Sequence, residues 1–313
     1  MEVYDLIIIG GGPAAMAGAI YAARKALKTL VLAKEQGGQL LLTREIENYP
    51  GIQRIGGFEL AERFRKHVER YGVPMKIGVE VTGIERSGED FVVKTKDGSY
   101  TAKAVLIATG GRSRPLGVPG EKELTGRGVS YCTTCDAPLF KGKRVAMIGG
   151  GNSAFEGVID LLPIATEIHV VDIADHWFAD PILQAQVLNS DKVRTYQQHR
   201  VVEIRGEGFV SSIVIESLKS GERKELAVEG VFIEIGTVPN SDFVKGFLEL
   251  NGRGEIVVDR ETFQTSVPGV FAAGDVVEGL DKQIVIAAAQ GAQAALSAYR
   301  YLIEALDIAD SKR

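Results

Sequence analysis

The chain has 313 residues, 45% hydrophobic and 25% charged, with a net charge of −5 at pH 7 and two cysteines. At about 100–200 residues per domain, that length suits two domains with sizeable cores. A negative balance without a polybasic run argues against nucleic acid or anionic membrane as a partner, and two cysteines exclude a disulfide-built secreted scaffold.

Met1-Glu2-Val3-Tyr4-Asp5 runs straight into an apolar strand, without the basic start or cleavage site of a signal peptide. No apolar stretch approaches the ~20 residues of a membrane span, so the expected location is a reducing cytoplasm. Leu6-Ile7-Ile8-Ile9 reads as a buried parallel strand that stops at Gly10. An Ala-rich helix is predicted from Pro13 to about Ala26, then a strand from Thr29 to Ala33. Gly10-x-Gly12-x-x-Ala15 puts one glycine at a tight turn, a second where backbone must approach a pyrophosphate, and a small residue where helix packs on strand. Glu35, just past the next strand, is placed to accept a ribose hydroxyl. Together these predict a dinucleotide site.

Arg63, Arg65, Lys66 and Arg70 share helical spacing with Glu62 and Glu69 and read as a solvated face. Asp90 to Thr101 alternates around Asp97-Gly98, a hairpin signal. Turn-rich boundaries fall near Arg114-Pro115 and Pro239-Asn240. Between them, the grammar of the first segment recurs: a strand from Arg144 to Ile148, the turn Gly149-x-Gly151-x-x-Ala154, a helix from Asn152 to about Leu162, and a strand from Ile168 to Val171. Ser212 to Glu229 reads as a second hairpin turning near Ser220-Gly221. The last segment returns to strands and ends in an Ala-rich helix, Gln283 to about Leu306, with few charges and therefore packed on the first domain.

Around the second turn the charge is one-sided. From Gly151 through Asp191 there is no Lys or Arg, whereas Glu156, Asp160, Glu167, Asp172, Asp175, Asp180 and Asp191 are acidic. A 2′-phosphate normally needs a guanidinium, so NADPH is disfavoured and NADH is compatible. Asp172 either accepts a ribose hydroxyl, as in NAD sites, or ends its strand as a solvated carboxylate. Trp177, Phe178 and Pro181 are placed to fill part of the same pocket.

Both cysteines lie in Cys132-Thr133-Thr134-Cys135, followed by Asp136. Cysteines at i and i+3 can close a small disulfide that is readily reduced and re-formed, and Asp136 is placed to hand a proton to the departing thiolate. Zinc would need two further ligands, and His67, His169, His176 and His199 are scattered, so no metal is expected. His169 falls in an apolar strand, His67 in a charged helix and His199 in a polar loop; each reads as structural.

The ordered series of motifs resembles the low-molecular-weight thioredoxin reductases over nearly the whole chain. Beside the two glycine turns it includes Gly37-Gly38-Gln39-Leu40, Glu47-Asn48-Tyr49-Pro50-Gly51, Ile107-Ala108-Thr109-Gly110, Gly128 to Asp136, Gly236-Thr237-Val238-Pro239-Asn240 and Gly269 to Asp275. The resemblance implies an α/β fold of two Rossmann-like, three-layer dinucleotide-binding domains. The second (116–240), carrying the cysteine pair, is inserted into a discontinuous FAD-binding first (1–115 and 241–313). It further implies FAD, held by Gly10, Gly12, Pro13, Ala14, Ala15, Glu35, Gly38, Gln39, Leu40, Asn48, Val81, Ala108, Thr109, Gly110, Gly274, Asp275, Lys282, Gln283 and Ile284. By the same resemblance the protein is a homodimer, Cys135 faces the flavin, Cys132 attacks a thioredoxin-like disulfide, and Asp136 is the acid.

One departure stands out. NADPH-using members carry a His-Arg-Arg element after the second unit's strand, and here the stretch reads Asp172-Ile173-Ala174. That makes the chain similar to the divergent branch that draws electrons from ferredoxin or another donor. The expectation is an FAD-dependent protein-disulfide reductase. Its rivals are a ferredoxin–NAD(P) reductase-like flavoprotein with incidental cysteines, and a non-catalytic redox-responsive binding module.

Overall fold

Four strands of nearly unbroken Ile, Leu, Val and Ala fix the first sheet: Val3–Ile9, Thr29–Ala33, the second half of Gly98–Ile107, and Val270–Ala272. Such runs suit parallel strands buried on both faces, and these pair in parallel register, with Ile9 opposite Leu32 and Ile107, and Ala272 opposite Ile107. The computed structural model describes residues 2–42, 46–279 and 282–311, with side chains omitted at 42, 134, 135 and 305–311. It divides into two units, residues 1–112 with 238–313, and residues 113–237.

In the first unit a seven-stranded sheet adds the parallel edge strand Met75–Ile77 and, on its other side, the antiparallel Val81–Ser87 and Asp90–Thr95. The hairpin predicted around Asp97-Gly98 is present, with Thr95 opposite Gly98. The helix predicted to end near Ala26 spans Pro13–Arg24, and Ala26 takes a positive φ of 58° as the chain turns back. The final helix, Ile284–Ser311, outruns its predicted end at Leu306 and packs Ala294, Ala295 and Ala298 into the core. It crosses the first helix so closely that a Cβ on Gly291 would lie 2.0 Å from Ala14 O.

The second unit repeats the plan on five parallel strands in the order Val193–Gln197, Glu167–Asp172, Arg144–Ile148, Gly230–Ile233, Val129–Ser130. Helices Asn152–Leu161 and Pro181–Leu188 contribute Phe155, Val158 and Val187 to the core on one face. The antiparallel strands His199–Arg205, Ser212–Ser217 and Arg223–Ala227 supply Ile204, Ile213 and Leu226 to the core on the other. His199 opens a strand there instead of lying in a loop, because it pairs with Ser217. Among the described residues no helix is long and apolar enough to cross a membrane.

Candidate active site

At the carboxyl edge of the first sheet the chain leaves Ile9 into Gly10, whose φ of 132° only glycine adopts readily. A Cβ there would lie 2.1 Å from Ala108 O, so this turn and the turn after Ile107 fit only because Gly10 has no side chain. Gly12 caps the helix that begins at Pro13, with no side-chain cap of its own, and a Cβ on it would enter open space above the helix amino end. Ala14 and Ala15 are buried behind that turn.

The other predicted dinucleotide contacts gather around the same edge. Gly37 N–H donates to Gly11 O at 2.7 Å, which brings Gly38 over Gly12. Gln39 Nε2 donates to Asp275 Oδ2 at 3.4 Å, while Leu40 turns into a small satellite core. Thr109 and Asn240 bond each other reciprocally, through Thr109 Oγ1 to Asn240 O at 2.7 Å and Asn240 Nδ2 to Thr109 O at 3.0 Å; Gly110 O accepts from Asn240 N–H. Gly274, at φ 80°, donates its N–H to Gln290 Oε1 at 2.9 Å. Asn48 Nδ2 donates to Gln283 Oε1 at 3.1 Å, next to Ile284 at the start of the last helix. Lys282 pairs with Glu255 at 3.0 Å and donates to Asp275 O. Burial raises the Asp275 carboxyl above the usual range, against the pull of Lys282. Glu35 is exposed beyond the second strand. Val81 lies at the start of its strand, two residues after Val79 N–H bonds Ala33 O.

The second glycine turn copies the first in backbone. Gly149 has the same φ of 132°, and its Cβ would lie 2.2 Å from Glu234 O. What rests on this turn is different. Asp172 ends its strand with Oδ1 accepting Ala174 N–H at 2.7 Å and its carboxylate against Gly150, where a Cβ would meet Cγ at 2.9 Å. Trp177 presses on Gly150 and on Phe155, 5.3 Å between ring centroids. Gly150 O accepts from the N–H groups of Phe178 and Ala179. Of the three residues expected to fill this pocket, only Trp177 turns in; Phe178 and Pro181 are exposed.

The cysteine segment follows the edge strand Val129–Ser130 of the same sheet. Ser130 Oγ accepts from Cys132 N–H at 3.0 Å, and Cys132 O accepts the Asp136 N–H, opening a single helical turn, Thr133–Asp136. Cys132 is disulfide-bonded, and Cys135 is the chain's only other cysteine; the Cys135 side chain lies outside the described residues. Asp136 ends the turn, partly buried. Preceding the pair, Tyr131 donates to Glu121 Oε1 at 2.6 Å. Burial and that bond push the phenol up to about 12. Glu121 also accepts backbone N–H groups from Leu116, Gly117 and Val118.

Two carboxylates at this edge carried no sequence-level expectation beyond their charge. Glu234 follows the strand Gly230–Ile233 and accepts from Thr133, inside the cysteine motif, at 3.4 Å from Oγ1. Burial pushes it up to about 7, although Thr133 opposes the shift. Glu156 is likewise raised, by burial and then by Asp160 and Asp180. A carboxylate directly after an apolar strand that ends at the same sheet edge as a glycine turn was the available signal.

The fold and these motifs agree with what the chain is similar to. Residues 4–294 match the family model described as pyridine nucleotide-disulphide oxidoreductase. The chain belongs to that family. Over 96% of its length it is 44% identical to an alkyl hydroperoxide reductase subunit of Pseudomonas putida, and it spans 59% of that relative's length. Its fold superposes on thioredoxin reductase of Lactococcus lactis with a TM-score of 0.93 at 38% identity, covering 96% of this chain and 99% of that one. For the T. acidophilum thioredoxin reductase the values are 0.91 and 38%, covering 97% and 100%. As a thioredoxin-reductase-like member of the pyridine nucleotide-disulphide oxidoreductases, the protein is a flavoprotein oxidoreductase with two Rossmann-like units. The first turn fits the FAD this family uses: Gly12 exposes the helix amino end to a pyrophosphate, and no described side chain lies where its Cβ would point.

Proposed function

We propose that the protein is an FAD-dependent protein-disulfide reductase that delivers electrons through Cys132 and Cys135 to thioredoxin or a similar protein, with NADH rather than NADPH as its source. The carrying observation is a disulfide-bonded Cys132 immediately before a one-turn helix at the carboxyl edge of a dinucleotide-type unit. When bound, FAD supplies a two-electron carrier, and the residues that would hold it are those gathered around Gly10, Gly12, Gly38, Thr109 and Asp275.

Once the pair is reduced, the Cys132 thiolate attacks an acceptor disulfide, forming a mixed disulfide and expelling one acceptor thiolate. Cys135 then attacks the Cys132 sulfur, re-forming the internal disulfide and releasing the second acceptor thiolate. Asp136, the residue after Cys135, is placed to hand a proton to a departing sulfur. The resemblance to a component of an alkyl hydroperoxide reductase makes a protein disulfide of a peroxide-reducing system the second acceptor to test.

Asp172 supports NADH, because its carboxylate lies on the glycine turn where NAD sites receive a ribose hydroxyl, in a stretch free of guanidinium. One observation favours reduced ferredoxin as the alternative donor: Trp177, Phe178 and Ala179 already close on Gly150. Anaerobic mixing of the FAD-loaded protein with NADH, NADPH and reduced ferredoxin separates the donors. We expect rapid flavin bleaching with NADH. Bleaching by NADPH alone contradicts the donor assignment, and bleaching by ferredoxin alone selects the alternative. Replacing Cys132 by Ser should abolish disulfide reduction; retained turnover would favour a flavoprotein with incidental cysteines, and a wild type without turnover would favour a binding module.

A further inference from the structure

Resting on that reading of the cysteine pair, we propose that Glu234 is a positioning residue of the disulfide, acting through Thr133 to set how much of Cys132 is thiolate once the bond is opened. The geometry is specific. Cys132 is the residue before the one-turn helix, directly preceding Thr133. Glu234 reaches the same end: its carboxylate accepts from both the Thr133 backbone N–H and the Thr133 hydroxyl. Thr133 itself is 4% exposed and cannot move aside, because helix Asn152–Leu161 presents Gly157 to it. A Cβ on Gly157 would lie 2.8 Å from Thr133 Oγ1. Glu234 and Thr133 are therefore fixed next to Cys132 at the carboxyl edge of the sheet.

The titratable neighbours define the switch. Glu156, from helix Asn152–Leu161, faces Glu234 and raises its pKa, and Asp160 and Asp180 act on Glu156 in turn. Asp136 ends the cysteine helix on the far side of the pair. Half-buried and pushed up to about 7, Glu234 is neutral in mildly acid solution and charged in mildly alkaline solution. Two electrons entering the disulfide break the S–S bond and leave two sulfur anions, which take up two protons from solvent to become thiols. A charged Glu234, bonded to the residue next to Cys132, repels the Cys132 thiolate; a neutral one keeps the bonds to Thr133 without that repulsion. The Cys132 thiol is thus held protonated by the charged carboxyl, and the thiolate is favoured when Glu234 is neutral.

The test is the pH profile of Cys132 alkylation by iodoacetamide in the reduced, FAD-loaded protein, read by mass spectrometry between pH 6 and 8.5. Wild type should show a break near the Glu234 pKa. Glu234→Gln, which retains the hydrogen bonds without the charge, should lose it, matching wild type at pH 6 and reacting up to about tenfold faster at pH 8, one unit of thiol pKa. Glu156→Gln should move the break to lower pH without removing it, which keeps the proposal testable if Glu234→Gln folds poorly. Superimposable profiles for wild type and Glu234→Gln, or an unmoved break in Glu156→Gln, would overturn the role of Glu234. If reduction exposes no alkylatable Cys132, the disulfide reading fails and takes this proposal with it. If Cys132 alkylates and its loss abolishes turnover while the profiles coincide, only the Glu234 proposal fails.

Discussion

The two glycine turns are nearly the same object in backbone and different objects in surroundings. Gly12 and Gly151 cap their helices at φ −89°, ψ −173° and φ −94°, ψ −175°, and Gly10 and Gly149 share a φ of 132°. Each first glycine has no room for a side chain, against Ala108 O in one unit and Glu234 O in the other. Beyond that frame they diverge. The middle glycine of the first turn, Gly11, faces the backbone carbonyl of Glu35, whose side chain is exposed; its counterpart Gly150 carries the Asp172 carboxylate and Trp177. Backbone geometry makes a dinucleotide-type turn, whereas the residues after the second strand decide which nucleotide it suits.

The sharpest way to break this comparison is Gly10→Ala beside Gly149→Ala. Each forces a Cβ to within about 2 Å of a carbonyl oxygen at positive φ, so each should cost roughly 3 kcal/mol or more. Their consequences should separate: Gly10→Ala releases FAD, whereas Gly149→Ala retains it and loses reduction by the donor. Thermal melts with flavin absorbance read both.

A smaller effect concerns pH. The Glu234 carboxyl lies higher in the folded protein than its ordinary 4.5, so folding binds protons and stability falls as pH rises from about 4.5 through about 7. Glu234→Gln removes that dependence. Relative to its value at pH 4, the stability difference between Gln and wild type should shift toward Gln by about 3 kcal/mol at pH 8. Melts at the two pH values check the sign. An unchanged difference would mean that the carboxyl titrates normally.

Ile173→Arg with Ala174→Arg restores guanidinium groups beside the second turn. This should raise kcat/KM for NADPH by roughly tenfold, about 1.4 kcal/mol, if phosphate recognition is what the turn lacks. No gain would show that Trp177 closure, and not charge, excludes the nucleotide. The smallest expected effect is Gly157→Ala, where a Cβ would crowd Thr133 and Met147; a loss of about 1 kcal/mol in denaturant unfolding is expected.

Much of the molecule was legible because its signals are local. The strands Thr29–Ala33 and Arg144–Ile148 stand where the apolar runs place them, and both glycine turns follow from spacing alone. The missing guanidinium groups beside Asp172 could likewise be read directly. What escaped depends on distant segments meeting. Glu234 reads as an ordinary acid after a strand; only the return of Thr133 to that strand's end makes it a partner of the cysteine motif. Gly291 looks like a weak point in an Ala-rich helix until Ala14 O is found at its Cβ position. His199 read as a loop residue because its own stretch is polar, and pairing with Ser217 makes it a strand residue. Phe178 and Pro181 were expected to turn inward with Trp177, yet Phe178 commits its N–H to Gly150 O and leaves its ring in solvent.

The central claim is that electrons leave this protein through Cys132. It is tested most directly by anaerobic addition of one equivalent of NADH to the FAD-loaded protein, followed by alkylation and mass spectrometry. The account predicts alkylated Cys132 and Cys135 in yield matching the NADH consumed, and no such pair in Cys132→Ser. Flavin that is fully reduced by excess NADH while both cysteines stay unreactive would contradict it.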